Sequence, residues 1–162
     1  MQYTHLGRSG LLVSRIVLGT MNFGPHTSEE DSHAIMDRAL EAGINFFDTA
    51  NGYGGQGHRG RTEEIVGRWF AKTGRRDEVV LATKCYGSTL DEDVPNFSKL
   101  SAVNVRRSAI ASLRRLQTDH IDLYQLHRPD PDADVEETLS ALTDLVHQGK
   151  IRYFGSSTYP AS

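Results

Sequence analysis

Two kinds of apolar spacing alternate along the chain. Short apolar runs, typical of buried strands, recur at residues 16–18, 44–47, 79–82, 121–126 and 151–154. Between these runs lie four longer segments in which apolar residues return every three or four positions, as on one face of an amphipathic helix. Strands that alternate with helices in this way predict an α/β fold with parallel strands joined by helical crossovers.

Each helical segment is identified by the apolar residues that share one face. They are Ile35, Met36, Ala39 and Leu40, then Ile65, Val66, Trp69 and Phe70, then Val103, Ile110, Leu113 and Leu116, and last Val135, Leu139, Leu142 and Val146. Glycines that suit the left-handed position after a helix follow three of the segments, at Gly43, Gly74 and Gly149. Thr27 with Glu30 and Asp134 with Glu137 resemble N-terminal capping boxes.

The first residues have a different pattern. Residues 3–6 and 11–13 flank Gly7-Arg8-Ser9-Gly10, which predicts a β-hairpin with a glycine-rich turn. No linker is visible in the 162 residues, so we expect one domain over residues 1–162. A complete eightfold α/β barrel needs about 200 residues or more, so this length excludes one.

Composition excludes several classes of protein. The 18 Lys and Arg against 21 Asp and Glu give a net charge of -3, which provides no basic surface for nucleic acid. Mean hydropathy is -0.46, and no apolar run approaches the ~20 residues of a spanning helix, so we expect no membrane partner. A single cysteine fits a reducing compartment, and we expect a cytoplasmic location. The seven histidines lack metal-ligand spacing, so no metal is expected.

Titratable side chains follow consecutive predicted strands. They are Asp48 and Tyr53 after the second run, Lys84 after the third and His127 after the fourth. Taken singly, each has a structural interpretation: a turn cap, a packing aromatic, a solvated lysine and a turn histidine. Parallel strands bring their carboxyl ends to the same end of the sheet, where ligands bind. The four side chains together therefore favour a reaction centre.

These groups suit proton transfer to an oxygen. A phenol ordinarily has a pKa of about 10, and a nearby cation favours its ionised form. Lys84 is the candidate for that cation, and Asp48 is the candidate for holding it in place. His127 is placed to bond a substrate oxygen or to complete a relay to the phenol. The set predicts acid catalysis of carbonyl reduction with a hydride from a cofactor.

Two further features favour structural roles. Cys85 follows Lys84, and packing is the preferred interpretation over oxidation or alkylation. The third helical segment carries four arginines, which we expect on its solvated face: Arg106, Arg107, Arg114 and Arg115.

Seven motifs run nearly end to end. They are LGRSGLLVS at 6–14, GTMNFG at 19–24, FDTANGYG at 47–54, TEEIVG at 62–67, SLRRLQTD at 112–119, IDLYQLH at 121–127 and GKIRYFG at 149–155. In this order they resemble the aldo-keto reductase superfamily, in particular bacterial members similar to potassium-channel β subunits. The resemblance implies Tyr53 as general acid, Lys84 and Asp48 as the groups that tune it, and His127 as the group that orients the carbonyl.

The same resemblance implies a fold and a cofactor. The fold is a (β/α)8 TIM-barrel type, here a partial barrel of about five parallel strands and four helices after the hairpin, because family members continue for three more strands. The cofactor is NADPH, a preference carried from the family, and its expected contacts are Gly19, Thr20, Met21, Asp48, Ser157 and Thr158. Thr158 stands where the family has Asn.

The expected substrate is a small-molecule carbonyl compound. A partial barrel leaves strand edges near residues 16–18 and 151–154, so we expect either a homo-oligomer formed through these edges or a fragment of a longer protein. Two alternatives to an active reductase stay open, a non-catalytic regulatory or NADPH-binding module of the same fold and an inactive fragment.

Overall fold

A parallel sheet with helices between its strands follows a short antiparallel hairpin. The computed structural model describes residues 1–90 and 94–160; residues 91–93 and 161–162 of the predicted domain lie outside the described residues. In chain order the described elements are β1 (Tyr3–His5), β2 (Leu12–Ser14), β3 (Leu18–Gly19), α1 (Glu29–Glu41), β4 (Phe46–Asp48), α2 (Arg61–Thr73), a 3-10 helix (Arg76–Glu78), β5 (Val80–Cys85), α3 (Ala102–Leu116), β6 (Ile121–Leu126), α4 (Val135–His147) and β7 (Ile151–Ser156).

The parallel strands pair in chain order, β3-β4-β5-β6-β7, and we call them the main sheet. Helices α1 to α4 lie in the crossovers between successive strands. The predicted α/β class, with parallel strands, helices and an N-terminal hairpin, is confirmed and is consistent with part of a (β/α)8 barrel. Each helix in the described part of the chain falls short of the length and apolarity that a membrane crossing requires.

Alternation along the strands divides the core between the two faces of the main sheet. Phe47, Leu81 and Tyr124 are buried in the cluster that packs against the helices. Phe46, Ala82 and Leu123 form a second cluster with Val13 of the hairpin. Because successive side chains in a strand point to opposite faces, residues 48, 84 and 125 lie on the face of this second cluster.

The first predicted strand is shifted by the hairpin. Residues 16–18 were expected to pair, but β3 is Leu18–Gly19, and Ile16 and Val17 are exposed. The hairpin continues to Arg15, whose N–H donates to the Gln2 carbonyl at 2.9 Å. The chain therefore leaves the hairpin through these apolar residues before it enters the main sheet.

The third predicted strand is longer than its apolar run. Residues 79–82 were expected, with Lys84 after the strand, but β5 is Val80–Cys85 and Lys84 lies within it. The ladder continues because Lys84 is paired with Gln125 and Cys85 with Leu126. The predicted strand at residues 121–126 matches β6 at both ends, whereas β4 begins two residues later than predicted, at Phe46, and β7 extends two residues further, to Ser156.

The helix caps were predicted in part. The N-cap of α1 is Ser28, whose hydroxyl accepts from Asp31 N at 3.1 Å; the expected Thr27 is wrong, because its N–H and C=O bond to Asn22 and Gly24 in the preceding turn. Asp134 is confirmed as the cap of α4, but the Glu137 carboxylate reaches Ala102 N instead of returning to its own helix. The left-handed residues after three helices are confirmed at Gly43, Gly74 and Gly149.

Two of the four arginines of α3 are not on a fully solvated face, since Arg107 is half-buried over the Phe97 ring and Arg115 is enclosed further. Arg115 is largely buried, and its Nε donates to the Glu63 carboxylate of α2 at 2.7 Å. The expectation that all four arginines lie on a solvated face is therefore wrong at Arg115. Its partner, the Glu63 carboxylate, is fully buried between the helices and the main sheet.

Candidate active site

The ammonium group of Lys84 lies at the centre of the candidate site. Lys84 Nζ is 2.5 Å from Asp48 Oδ2, 2.9 Å from the Thr49 carbonyl oxygen and 3.4 Å from Tyr53 Oη. An ammonium carries three N–H donors, so these three oxygens satisfy it. Lys84 is only 6% exposed, and electrostatic interactions are stronger in such a position than in water.

Asp48 is held in place by hydrogen bonds from neighbouring segments to both its carboxylate and its backbone. Its Oδ1 accepts from Gln125 Nε2 at 3.1 Å, while its backbone carbonyl accepts from the Thr20 N–H and hydroxyl, each at 3.0 Å. Gln125 was not predicted as a site residue. Its position in the sequence could have indicated it, because it lies on the same face as His127 two residues later.

Tyr53 and His127 meet at the rim above the lysine. Their ring centroids are 5.9 Å apart with the planes at 79°, an edge-on contact, and Lys84 Nζ lies 5.1 Å from the centroid of the phenol ring. The backbone holds both residues: Tyr53 O accepts from Gly60 N at 2.8 Å, and His127 N donates to Cys85 O at 3.0 Å. The structure thus brings together the four side chains that the sequence singled out.

Gly54 makes the turn after Tyr53 possible. Its φ is +136°, and a Cβ there would lie 2.1 Å from the His58 carbonyl oxygen. A side chain at this position would displace backbone, and the conformation itself is one that L-residues rarely adopt. The glycine therefore lets the loop fold back close to the phenol.

The environment of His127 favours a neutral ring. Partial burial lowers the pKa of His127, the positive charges of Lys84 and Arg128 lower it further, and Asp48 acts weakly in the opposite direction. A neutral imidazole has one N–H donor and one acceptor nitrogen. At neutral pH the ring can therefore donate a hydrogen bond to a carbonyl oxygen.

An open cleft of about 360 Å³ lies in front of these groups. Tyr53 and His127 line it together with Tyr86, Arg59 and Arg128. The volume is near the lower end of the range for small-molecule sites, about 300–1,000 Å³. A small ligand in this cleft would contact the phenol and the imidazole at the same time.

The predicted cofactor residues flank the site on two sides. Gly19 ends β3, beside Asp48 in the register of the main sheet, and a Cβ at Gly19 would meet nothing within 4 Å. Thr20 is buried against Asp48, and the Met21 side chain is exposed.

Ser157 and Thr158 follow β7 at the opposite edge of the main sheet, with their hydroxyl oxygens 3.4 Å apart. A nicotinamide carboxamide needs both a donor and an acceptor, and each hydroxyl can serve as either. Open space at Gly19 and the Ser157 and Thr158 hydroxyl groups across the sheet therefore fit a flat ring and its amide.

Two buried polar atoms near the site lack hydrogen-bond partners among the described residues, Thr49 Oγ1 and Asn51 Oδ1. The Asn51 amide nitrogen donates to the Gly87 carbonyl at 3.0 Å, which fixes the side chain at the wall of the cleft. Neither residue was predicted from the sequence as part of the site, because polar residues after a strand are common in ordinary turns.

Cys85 is buried beside the site and does not face the cleft. Burial raises the pKa of its thiol to about 11, so the thiolate is scarce at neutral pH. The packing interpretation of this residue fits its position in the helix-side core. In residues 1–90 and 94–160, no three His, Cys, Asp or Glu side chains come together as a metal site would require.

Fold and site together define an α/β protein with a lysine-centred polar cluster at the carboxyl ends of parallel strands. Residues 15–162 match the family model described as the aldo/keto reductase family. The chain belongs to the aldo/keto reductase family, and the resemblance found in its motifs is confirmed.

Relatives at high identity support this assignment. The chain is 52% identical over 162 residues to the uncharacterized oxidoreductase YrpG of Bacillus subtilis, covering 98% of this chain and 50% of the relative. It is 38% identical over 183 residues to Protein tas of Escherichia coli, with 99% and 53% covered. It is 42% identical over 164 residues to norsolorinic acid reductase stcV of Emericella nidulans, with 94% and 41% covered. The chain spans about half the length of the curated relatives it matches.

Proposed function

We propose that this protein reduces aldehyde or ketone carbonyls to alcohols with NADPH. The observation that carries the proposal is the position of Lys84 Nζ, 2.5 Å from the Asp48 carboxylate and 3.4 Å from the Tyr53 hydroxyl, at the edge of an open cleft. Family membership and the oxidoreductase and reductase names of two relatives support the same class of reaction.

Tyr53 acts as the general acid in this proposal. Its hydroxyl donates a proton to the carbonyl oxygen, and the ammonium of Lys84 stabilises the phenolate that remains. Asp48 keeps the ammonium in place, so that the charge does not have to reorganise during the reaction.

His127 orients the substrate. Its ring lies edge-on to the Tyr53 ring, so one carbonyl oxygen can contact both the imidazole N–H and the phenol O–H. Two donors directed at one oxygen polarise the carbonyl and hold it in a single geometry. A neutral ring suits this role, because it donates without competing with the phenol as an acid.

The bound nicotinamide would supply the hydride that reaches the carbonyl carbon. Residues at the two edges of the main sheet would hold it: Gly19, Thr20 and Met21 on one side, with Asp48, and Ser157 and Thr158 on the other. Preference for NADPH over NADH rests on the family resemblance alone.

Replacing one phenol tests the proposal. The Tyr53→Phe variant should lose at least ~100-fold in kcat toward 4-nitrobenzaldehyde, the lower range for removing a general acid, with NADPH affinity unchanged by fluorescence titration. Tyr3→Phe is the matched control, because the Tyr3 hydroxyl bonds the Gly43 carbonyl far from the cleft. Unchanged turnover by Tyr53→Phe would refute the acid role. Wild-type protein that binds NADPH without turnover would favour a non-catalytic module of the same fold.

A cytoplasmic location is also part of the proposal, on the basis of the single cysteine. Self-association through the strand edges is a further part. Tyr153 and Phe154 on β7 are exposed, and β7 and β3 form the outer edges of the main sheet in the described chain. Unpaired strand edges favour pairing with another chain. Analytical ultracentrifugation over a range of concentrations tests this, and a strictly monomeric protein would contradict it.

A further inference from the structure

Among the described residues, the lining of the cleft beside Tyr53 has an excess of positive charge. Two arginines line it: Arg59, from the loop before α2, and Arg128, directly after His127. No described residue lining the cleft is a carboxylate. Lys84 does not add to this excess, because the Asp48 carboxylate neutralises its positive charge.

Neither guanidinium is neutralised within the described chain. Across residues 1–90 and 94–160, Arg59 and Arg128 have no carboxylate oxygen within 4.0 Å. Arg59 Nη1 donates to the Ser88 carbonyl at 3.0 Å, which anchors that guanidinium at the wall and leaves its other donors available. Asp130, two residues beyond Arg128, accepts from backbone N–H groups of Leu100 and Asp132 and lines a separate cavity.

We propose that the cleft selects oxo acids, meaning small aldehydes or ketones that carry a carboxylate, and that Arg59 and Arg128 bind the carboxylate. This inference rests on the proposed function and names its substrate class. A guanidinium presents paired donors that match the two oxygens of a carboxylate. Two such cations around a cleft of about 360 Å³ also raise the local concentration of small anions.

The reaction remains balanced with such a substrate. Hydride from NADPH forms the new C–H bond at the carbonyl carbon, and the proton of Tyr53 Oη goes to the carbonyl oxygen. The products are a hydroxy acid and NADP⁺, and the carboxylate is unchanged. The arginines therefore act on binding and orientation and not on the proton transfer.

Cofactor phosphates are the competing anion for these arginines. The residues expected to hold the nicotinamide lie at β3 and after β7, whereas Arg59 and Arg128 line the cleft in front of the phenol. If the two arginines held cofactor phosphates, replacing them would raise the KM for NADPH. If they hold the substrate, it would raise the KM for the anionic aldehyde instead.

The test compares two aldehydes of nearly equal shape, 4-carboxybenzaldehyde and 4-nitrobenzaldehyde. The ratio of their kcat/KM values cancels differences in protein quality between preparations. In the Arg59→Gln/Arg128→Gln variant we expect this ratio to fall roughly tenfold, the effect of losing two charge-assisted contacts made by exposed arginines. The Arg8→Gln variant is the charge control, because Arg8 is exposed on the hairpin turn, and its ratio should equal that of the wild type.

Salt gives a second measurement. Raising NaCl from about 0.05 to 0.3 M should lower kcat/KM for the carboxylate aldehyde in wild type and leave the nitro aldehyde nearly unchanged. An unchanged ratio in the double variant, or a raised KM for NADPH in place of a raised KM for the carboxylate aldehyde, would overturn the inference while the reductase proposal stands. Absence of turnover with both aldehydes would refute the proposed function, and the inference with it.

Discussion

Glu63 and Arg115 form an ion pair in which the carboxylate has no exposed surface. Arg115 Nε donates to Glu63 Oε2 at 2.7 Å, and the other carboxylate oxygen accepts from the Thr83 hydroxyl at 2.6 Å. The pair therefore joins α2, α3 and β5. Since Thr83 precedes Lys84, this network lies directly behind the strand segment that carries the ammonium of the candidate site.

The Glu63→Ala variant should be strongly destabilised. It leaves the Arg115 guanidinium largely buried without its counter-charge, which costs about 3–5 kcal/mol of unfolding free energy. Urea unfolding followed by Trp69 fluorescence measures the loss. The control is Glu64→Ala, since Glu64 is exposed and its contact with Arg68 is 3.8 Å. Equal losses of unfolding free energy in the two variants would show that the buried ion pair stabilises the fold no more than the exposed one.

The Gly67→Ala variant should also be destabilised, although alanine ordinarily favours a helix interior by about 1 kcal/mol. Gly67 lies in α2 where α3 crosses, and a Cβ there would be 2.1 Å from the Arg115 carbonyl oxygen. Overpacking of this kind costs about 1–3 kcal/mol. Chemical denaturation measures the change, and Gly10→Ala, with nothing within 4 Å of its Cβ, is the control. A gain in stability at Gly67 would contradict the close helix crossing.

His127 should make folding stability depend on pH in a defined direction. Its folded-state pKa is lowered from 6.5, first by burial and then by Lys84 and Arg128, so the unfolded chain takes up a proton before the folded one. As pH falls from 7.5 to 5, wild type should therefore lose stability relative to His127→Gln. Urea midpoints at three pH values measure this difference.

An exposed histidine on the hairpin provides the control for that comparison. His5→Gln removes an imidazole far from the cleft. A stability difference between wild type and His127→Gln that stays constant from pH 7.5 to 5 would mean that His127 is not desolvated in the folded protein.

Cys85 should resist alkylation until the protein unfolds. Its thiol is buried and its pKa is raised to about 11, so both access and thiolate concentration are low at pH 8. Because the sequence has one cysteine, intact mass after iodoacetamide treatment reports this site alone. Labelling in buffer should be far slower than labelling in urea, and similar rates in the two conditions would contradict the burial of this side chain.

Apolar periodicity predicted the order of the elements because each strand and helix buries a regular face. It failed where a polar side chain is buried with a distant partner. The predicted third strand stopped at residue 82, because Thr83 and Lys84 are polar, yet their partners Glu63 and Asp48 let both lie inside the sheet. Such partners are 20 and 36 residues away, so a local pattern does not contain them.

The candidate site could be predicted only as far as strand ends indicate it. Counting residues after each strand singles out Asp48, Tyr53 and His127, which lie at the carboxyl ends of the strands of the main sheet. Gln125 could not be ranked in the same way, because its importance depends on the register that sets it beside Lys84. That register follows from the packing of whole strands, which a single strand does not specify.

Because Lys84 is paired with Gln125 in the ladder, the polar cluster can form only when β5 and β6 are correctly aligned. A slip of one residue in β5 would turn the ammonium toward the apolar helices and remove it from its three oxygens. An unpaired buried charge costs several kcal/mol, so misaligned sheets are penalised well beyond their lost apolar contacts. The chemistry-bearing lysine thus narrows the set of structures that this chain can adopt as it folds.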